Sequence, residues 1–238
     1  MLSRLKRIPL SLIGISLILV SLLVYAVTGK LGLFIHPGYI PFTVISSIVG
    51  LVALIWFAVL SFIKNKDYKE PSKNKKISVS SILVLLMGIL MISITPIPLS
   101  SQYGFNTVET GSVTNFEATP NQDWSKLSLM DWSGVLKTSQ QGSFYGEPVE
   151  LTGYVSKIDK DTFYLSRYTI YCCTVDAQLA QVPVYYPNWE DKLSSDDWTT
   201  ISGSFEESSI SLSYPIVLIP STELSQISVP SDPYSYGY

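Results

Sequence analysis

The sequence predicts an α+β membrane protein in which three N-terminal transmembrane helices precede a small all-β, OB-like extracytoplasmic barrel with a short helix. Two observations predict the membrane region: charged residues make up only 15% of the chain, and apolar residues concentrate in its first hundred positions. A third predicts the barrel, because apolar and polar residues alternate from about Gly146 onward. We expect a helical region at 1–99, a linker at 100–122, the β domain at 123–228 and a tail at 229–238.

Three apolar segments are each long enough to cross a bilayer. They contain no Asp, Glu, Lys or Arg and occupy residues 8–28, 40–63 and 77–99. At about 1.5 Å per residue, such a segment covers roughly 30 Å of hydrocarbon. The first also resembles a signal peptide, but its apolar run exceeds the usual core of about 7–15 residues and no A-x-A-like cleavage site follows, so we interpret it as an anchor. We expect Pro96 and Pro98 to end the third helix at the membrane surface.

Basic residues predict the orientation of these spans. They precede the first span and separate the second from the third, whereas only Lys30 lies between the first and the second. Because loops rich in Lys and Arg stay in the cytoplasm, we expect a multi-pass protein of the cell membrane with a cytoplasmic N-terminus and an extracytoplasmic chain after Ser100. We interpret the lysine loop as a topology signal, and its other interpretation is binding of anionic lipid. The basic residues concerned are Arg4, Lys6, Arg7, Lys64, Lys66, Lys69, Lys73, Lys75 and Lys76.

The charge is divided unevenly along the chain. Residues 1–99 carry ten Lys or Arg against two acidic residues, whereas residues 100–238 carry six against seventeen. Nucleic acid is bound chiefly by basic residues that neutralise phosphates, so an acidic outer domain argues against that partner. The expected partners are the lipid membrane and other proteins.

The outer domain begins with one helix and continues as strands. Trp124, Leu127 and Val135 lie near helical spacing and predict a short amphipathic helix. Glycine inside two of the strands, Gly153 and Gly203, permits sharp bending, so five short strands suggest a small OB-like barrel, with a sandwich as the other arrangement. The predicted strands occupy residues 149–156, 163–171, 182–186, 199–205 and 215–219.

The two cysteines of the chain are adjacent, at Cys172 and Cys173, and Asp176 follows them. On an extended strand their side chains point to opposite faces, whereas a turn before Asp176 lets both thiols face one way. Three interpretations stay open: a zinc or copper(I) site completed by a partner or water, thiol exchange without the usual C-x-x-C spacing, and a purely structural pair. His36, the single histidine, is a further candidate metal ligand if the barrel folds back onto the membrane. Arg167 is the nearest basic residue, and we expect it to pair with an acidic neighbour such as Glu150 or Asp176.

Several segments together carry a family resemblance. They are Tyr145–Val155, Phe163–Ile170, Cys172–Ala177, Trp198–Gly203 and the His36-Pro37 pair after the first span. In these segments the chain resembles the YcgQ-like family of uncharacterised bacterial membrane proteins. The resemblance implies a partnership with a predicted multi-span permease and a connection with metal-ion homeostasis.

No catalytic motif is present in the sequence. The single histidine lies at a predicted membrane edge, and there is no H-E-x-x-H, no G-x-x-x-x-G-K-[ST] and no G-x-S-x-G. We therefore predict that the chain is not an enzyme. The leading hypothesis is a membrane-anchored accessory subunit of a permease whose outer domain handles a metal ion at the cysteine pair. The alternatives are an envelope thiol-redox protein and a protein-binding module with structural cysteines.

Overall fold

A computed structural model describes residues 10–64, 78–101, 123–137, 144–206, 216–218 and 224–236. The chain divides into two compact units, Met1–Ile97 and Pro98–Tyr238. The predictions for the basic N-terminus, for Lys66–Lys76 and for linker residues 102–122 lie outside the described residues.

The first unit contains three apolar helices in its described part. They are α1 at Leu10–Val27, α2 at Ile40–Lys64 and α3 at Val79–Ser93. Two stretches, Leu10–Val27 and Pro37–Leu60, are long and apolar enough to cross a membrane. The third predicted span is not confirmed, because α3 has only 15 residues and covers about 22 Å.

The early end of α3 has a local cause. The helix was expected to run on toward Pro96, but Ile94 already has extended backbone angles. Proline has no N–H to donate, and it forces the residue before it out of the helical region. Thr95, which precedes Pro96, therefore favours extended backbone angles, and α3 ends at Ser93.

Helices α1 and α3 approach closely where both carry glycine. A Cβ atom added to Gly14 would lie 2.6 Å from the carbonyl oxygen of Val84, and one added to Gly88 would lie 2.7 Å from the carbonyl oxygen of Gly14. Neither position has room for a side chain. Small residues at such crossings allow apolar helices to pack through their backbones. The hydroxyl of Tyr25 adds a polar contact, since it reaches the carbonyl oxygens of Met91 and Ile94.

The second unit is a mainly antiparallel β-sheet domain with one α-helix in its described part. The predicted amphipathic helix is present only in part: Trp124–Lys126 is a 3₁₀ turn, and helix α4 spans Leu129–Lys137. All five predicted strands are present. Two short strands, β6 and β7, were not predicted. The strands are β1 Pro148–Lys157, β2 Thr162–Ile170, β3 Gln178–Tyr185, β4 Trp198–Glu206, β5 Ile216–Leu218, β6 Gln226–Ile227 and β7 Tyr234–Tyr236.

The strand pairing is as follows. β1 pairs antiparallel with β2 and also with β4, and β2 pairs antiparallel with β3. β4 pairs antiparallel with β5 and β6, while β5 is parallel to β3. The predicted tail contributes β7, which is parallel to β2 with Ile170 opposite Tyr236. The structure therefore has an antiparallel sheet as predicted, and a closed OB-like barrel stays a prediction.

The core of the domain lies between α4 and the sheet. Trp132 on α4 is buried, and its ring centroid lies 4.3 Å from that of Phe205 on β4 and 5.5 Å from that of Phe144. Apolar side chains of β1, β2 and β3 complete this cluster, including Leu151 and Leu165. The alternating residues that predicted the strands thus point toward the helix.

Two residues near the start of the second unit, Leu99 and Ser101, form hydrogen bonds with the β domain. The N–H of Leu99 donates to the hydroxyl of Tyr234 at 3.0 Å, and the N–H of Ser101 donates to a carboxylate oxygen of Asp196 at 2.7 Å. Contact with the β domain thus begins at the start of the predicted linker.

Candidate metal centre

The two cysteines lie in the connection between β2 and β3. Strand β2 ends at Ile170, and a 3₁₀ turn at Thr174–Asp176 leads into β3 at Gln178. Cys173 has extended angles and is the N-cap of this turn. Of the two geometries that the sequence left open, the structure therefore has the turn.

The carboxylate of Asp176 closes this turn by accepting three backbone N–H groups. Its Oδ1 accepts from Tyr171 at 3.1 Å and from Cys173 at 3.4 Å, and its Oδ2 accepts from Cys172 at 2.8 Å. Burial acts to raise the pKa of Asp176, but the hydrogen bonds from the Cys172 thiol and from the three N–H groups outweigh it and lower that pKa. The carboxylate is thus an ionised anchor for the cysteine loop.

The thiols of Cys172 and Cys173 face one another. Their sulfur atoms are 3.5 Å apart, and both cysteines are free. The hydrogen bond from its thiol to Asp176 and the contact with Cys173 raise the pKa of Cys172 to about 12. Cys172 is consequently a neutral thiol near pH 7, and a thiolate forms there only when something replaces the proton.

The three side chains together offer a compact set of metal ligands. One ligand atom from each of Cys172, Cys173 and Asp176 lies within 4.8 Å of the others. Cys172 is exposed, and the neighbouring Val175 exposes 93% of its surface. An ion held here has two sulfur donors and a carboxylate beside it, and at least one side is open to solvent.

Comparison with known proteins places this site in a family. Residues 119–237 match the model of the DUF1980 C-terminal domain, which includes α4 and all the described strands of the second unit. The chain belongs to this family. No curated protein and no solved structure matches the chain. Membership agrees with the predicted assignment to an uncharacterised family, whereas the YcgQ-like resemblance and the permease partnership stay predictions.

Two other predicted residues have different surroundings from those of the cysteine pair. His36 belongs to the helical unit, where it is the N-cap of a 3₁₀ turn and its Nδ1 accepts the N–H of Gly38 at 3.0 Å. Arg167, in the DUF1980 domain, donates to the backbone carbonyl of Asp232 at 2.6 Å and lies over the ring of Trp198. Among the described residues no ion pair joins Arg167 to Glu150 or Asp176, so the expected pairing is not found. The guanidinium donates instead to the carbonyl oxygens of Asp232 and Tyr234.

One role at this site was not predicted: the carboxylate of Asp176 accepts hydrogen bonds from the backbone of the cysteine loop. An acidic residue three positions after an N-cap is the spacing of a capping box. Here the N-cap is Cys173 rather than the usual Ser or Thr, so the pattern was easily overlooked. The spacing Cys-x-x-Asp was the available signal in this member of the DUF1980 family.

Proposed function

We propose that this chain is a membrane-anchored accessory subunit of a permease, and that its DUF1980 domain binds a zinc or copper ion at the cysteine loop. The observation that carries the metal proposal is the convergence of Cys172, Cys173 and Asp176 within 4.8 Å. Thiolate sulfur is the ligand type that both zinc and copper(I) favour in proteins.

Proton competition follows from the chemistry of this site. A metal ion must displace the proton of each thiol that it binds. Since the pKa of Cys172 is raised to about 12, this thiol keeps its proton throughout the physiological range. Metal affinity should therefore increase about tenfold per pH unit for each proton displaced, so we expect at least a tenfold gain between pH 6.5 and 7.5.

The membrane part of the proposal rests on the helices. Exposed apolar side chains cover α2, including Phe42 and Trp56. The close packing of α1 on α3 at Gly14 and Gly88 supports α1 as a retained anchor. With α3 as a third span and the basic loops in the cytoplasm, the DUF1980 domain is extracytoplasmic.

We further propose an OB-like barrel for the outer domain. The pairings β1–β2, β2–β3, β3–β5, β5–β4 and β4–β1 form a circuit that returns to its first strand. Gly153 supports the required bending, since a Cβ there would lie 2.6 Å from the carbonyl oxygen of Ser166 on β2. OB folds are five-stranded, partly open barrels that present binding loops.

A permease partner would cover part of the exposed apolar surface of the helices. It would also supply a transport path. Within the described helices α1, α2 and α3, the charged residue is Lys64 at the end of α2. Translocation paths usually contain polar or ionisable groups within the membrane. The subunit would contribute the outer metal site, and the partner would contribute the path.

Thiol-redox activity is the second candidate, and the 3.5 Å separation of the sulfur atoms favours it. The raised pKa of Cys172 speaks against it, because the thiolate is the attacking species in thiol exchange. We therefore propose a binding protein rather than an enzyme. Purely structural cysteines would bind no ion and would exchange no disulfide.

The metal proposal is tested by the metal content of the full chain purified in detergent. We expect one zinc or copper ion per chain, and its loss in the Cys172→Ser/Cys173→Ser variant. Val175→Ala, an exposed change in the same turn, is the matched control and should keep the ion. A metal-free wild-type protein that also fails to take up either ion would contradict metal binding. Disulfide-exchange activity lost in the double variant would establish the redox candidate instead.

The permease proposal requires a separate experiment in native membranes. A photo-crosslinking residue in place of Trp56, which is exposed on α2, should capture a multi-span protein. The same residue in place of Ser47, which is buried on α2, is the control and should capture little. Capture of lipid alone at the Trp56 position would contradict an α2-mediated permease contact.

A further inference from the structure

We propose that Asp176 positions the two thiols without binding the metal, so that the site is a two-thiolate site for copper(I) with one coordination position open to an outside ligand. This inference rests on the proposed metal-binding function and specifies its ion and its ligands. It assigns the three side chains of the cluster two different tasks.

The hydrogen bonds of Asp176 are the first argument. A carboxylate has about four acceptor positions. Three of them are used by the N–H groups of Tyr171, Cys172 and Cys173. If Asp176 turned toward a metal ion, it would release the backbone groups that bring the two sulfur atoms together.

The sulfur separation is the second argument. Two thiolates on one three-coordinate ion, at about 2.3 Å each and an angle of about 120°, are about 4.0 Å apart. The sulfur atoms of Cys172 and Cys173 are 3.5 Å apart, so a small rotation of either side chain accommodates an ion between them. The loop that Asp176 holds is therefore already close to the geometry of a chelating dithiolate.

The number of remaining donors decides the ion. Zinc in proteins takes four ligands, and even its open catalytic sites use three side chains. With Asp176 engaged, the loop supplies only the sulfur atoms of Cys172 and Cys173. Copper(I) is soft and is satisfied by two or three ligands, and thiolates select it. Two thiolates with an open third position therefore match copper(I) better than zinc.

The exposure of the site indicates where a third ligand enters. Cys172 is exposed, Cys173 is half-buried, and Val175 beside them projects into solvent. A soft donor from another protein, such as a thiolate or thioether, can reach the ion from this side. Such a ligand can take over the ion without prior dissociation, as a transfer site requires.

The binding step is balanced without redox chemistry. One copper(I) ion forms bonds to both sulfur atoms while both thiols lose their protons to solvent. The resulting complex carries one negative charge, and no atom changes oxidation state. Binding therefore strengthens as pH rises.

The experiment uses the full chain in detergent, reduced and kept under anaerobic conditions. Copper(I) is offered in competition with bicinchoninate, and zinc(II) in competition with a chromophoric chelator. We expect one copper(I) per chain, an affinity loss of about 100-fold or more in Cys172→Ser and in Cys173→Ser, and zinc binding too weak to compete. Asp176→Asn should keep one copper(I) with a loss of about tenfold, as expected for a residue outside the ligand set. Val175→Ala should match wild type.

A second measurement separates positioning from ligation. X-ray absorption of the copper complex should show sulfur neighbours in both wild type and Asp176→Asn, with an unchanged number of oxygen neighbours. Cys172 is exposed, so its serine variant is expected to fold, and circular dichroism checks this.

The outcomes distinguish the two proposals. Tight zinc binding that Asp176→Asn abolishes would overturn the two-thiolate copper(I) site while leaving the proposed metal function intact. An oxygen neighbour lost from copper in Asp176→Asn would also overturn it. Wild-type protein that binds neither ion would overturn both this inference and the metal-binding function from which it follows.

Discussion

Large aromatic side chains are exposed on α2 of the helical unit but buried in the DUF1980 domain. On α2 of the helical unit, Trp56 exposes 66% of its surface, and Phe42 exposes 73%. In the DUF1980 domain, Trp132 and Trp189 each expose 1%. Both units are rich in apolar residues, but the second buries many more of them than the described part of the first. The difference supports the proposal that the helical unit lies in a membrane.

This contrast follows from what each unit can bury. A soluble domain gains stability by removing apolar surface from water, and α4 does this for one face of the sheet. A helix in lipid gains nothing by turning apolar groups inward, and it packs through small residues instead. The close backbone approach at Gly14 and Gly88 is the contact expected of the second kind of packing, whereas Trp132 shows the first.

The largest expected effect comes from truncating the buried tryptophan. Trp132→Ala removes a ring that contacts Trp124, Phe144 and Phe205, and it should lower the free energy of unfolding of the β domain by about 3–5 kcal/mol. Pulse proteolysis of the full chain in detergent across a urea series measures this. The matched control is Trp56→Ala, which should change that free energy by less than about 0.5 kcal/mol. Equal losses in both variants would remove the distinction between the units.

How far the sequence predicts the fold depends on the length of each pattern. The apolar runs predicted α1 and α2 to within two residues at each described end, and alternation predicted β1 to β5. Strands β6 and β7 have only two and three residues, which is too short for a period to be visible. They form because β4 and β2 offer free edges to them, and this information is not local.

The residues of the candidate site could be predicted from the sequence, but the direction of the two thiols and the hydrogen bonds of Asp176 could not. Adjacent cysteines followed by an aspartate identified the loop, and the structure brings Cys172, Cys173 and Asp176 together. The direction of the thiols depends on where β2 ends, and no residue at Ile170 or Tyr171 marks that end in the sequence. Arg167 is a comparable case, since its partners Asp232 and Tyr234 lie just before and at the start of β7, which the sequence did not predict.

A smaller effect is expected at the glycine contact of the helical unit. Gly14→Ala places a Cβ 2.6 Å from the backbone oxygen of Val84, which cannot move independently of α3. We expect a loss of about 1–3 kcal/mol in the stability of the helix packing, measured as thermal unfolding in detergent by far-UV circular dichroism. At Gly50, a Cβ would lie 3.0 Å from Cδ1 of Leu19, the flexible end of a side chain. Gly50→Ala is therefore the control and should cost less than Gly14→Ala. The reverse order would show that lipid-facing helices here do not depend on backbone contact.

The smallest expected effect is at the hydrogen bond between Leu99, near the start of the second unit, and Tyr234 on β7. Tyr234→Phe removes the hydroxyl that accepts the N–H of Leu99 at 3.0 Å, and it leaves a partly buried donor without its partner. We expect a loss of about 1 kcal/mol in the unfolding free energy of the β domain, read by the same pulse proteolysis. Tyr236→Phe is the matched control, because its hydroxyl contacts the exposed carboxylate of Asp232 at 3.2 Å and water can replace that contact. If both variants lost the same free energy, the hydrogen bond to Leu99 would contribute nothing specific. If only Tyr234→Phe lowers the unfolding free energy, the β domain derives part of its stability from residues that directly follow the helical unit in the chain. Deleting the residues before Ser101 should then lower that free energy by a similar amount.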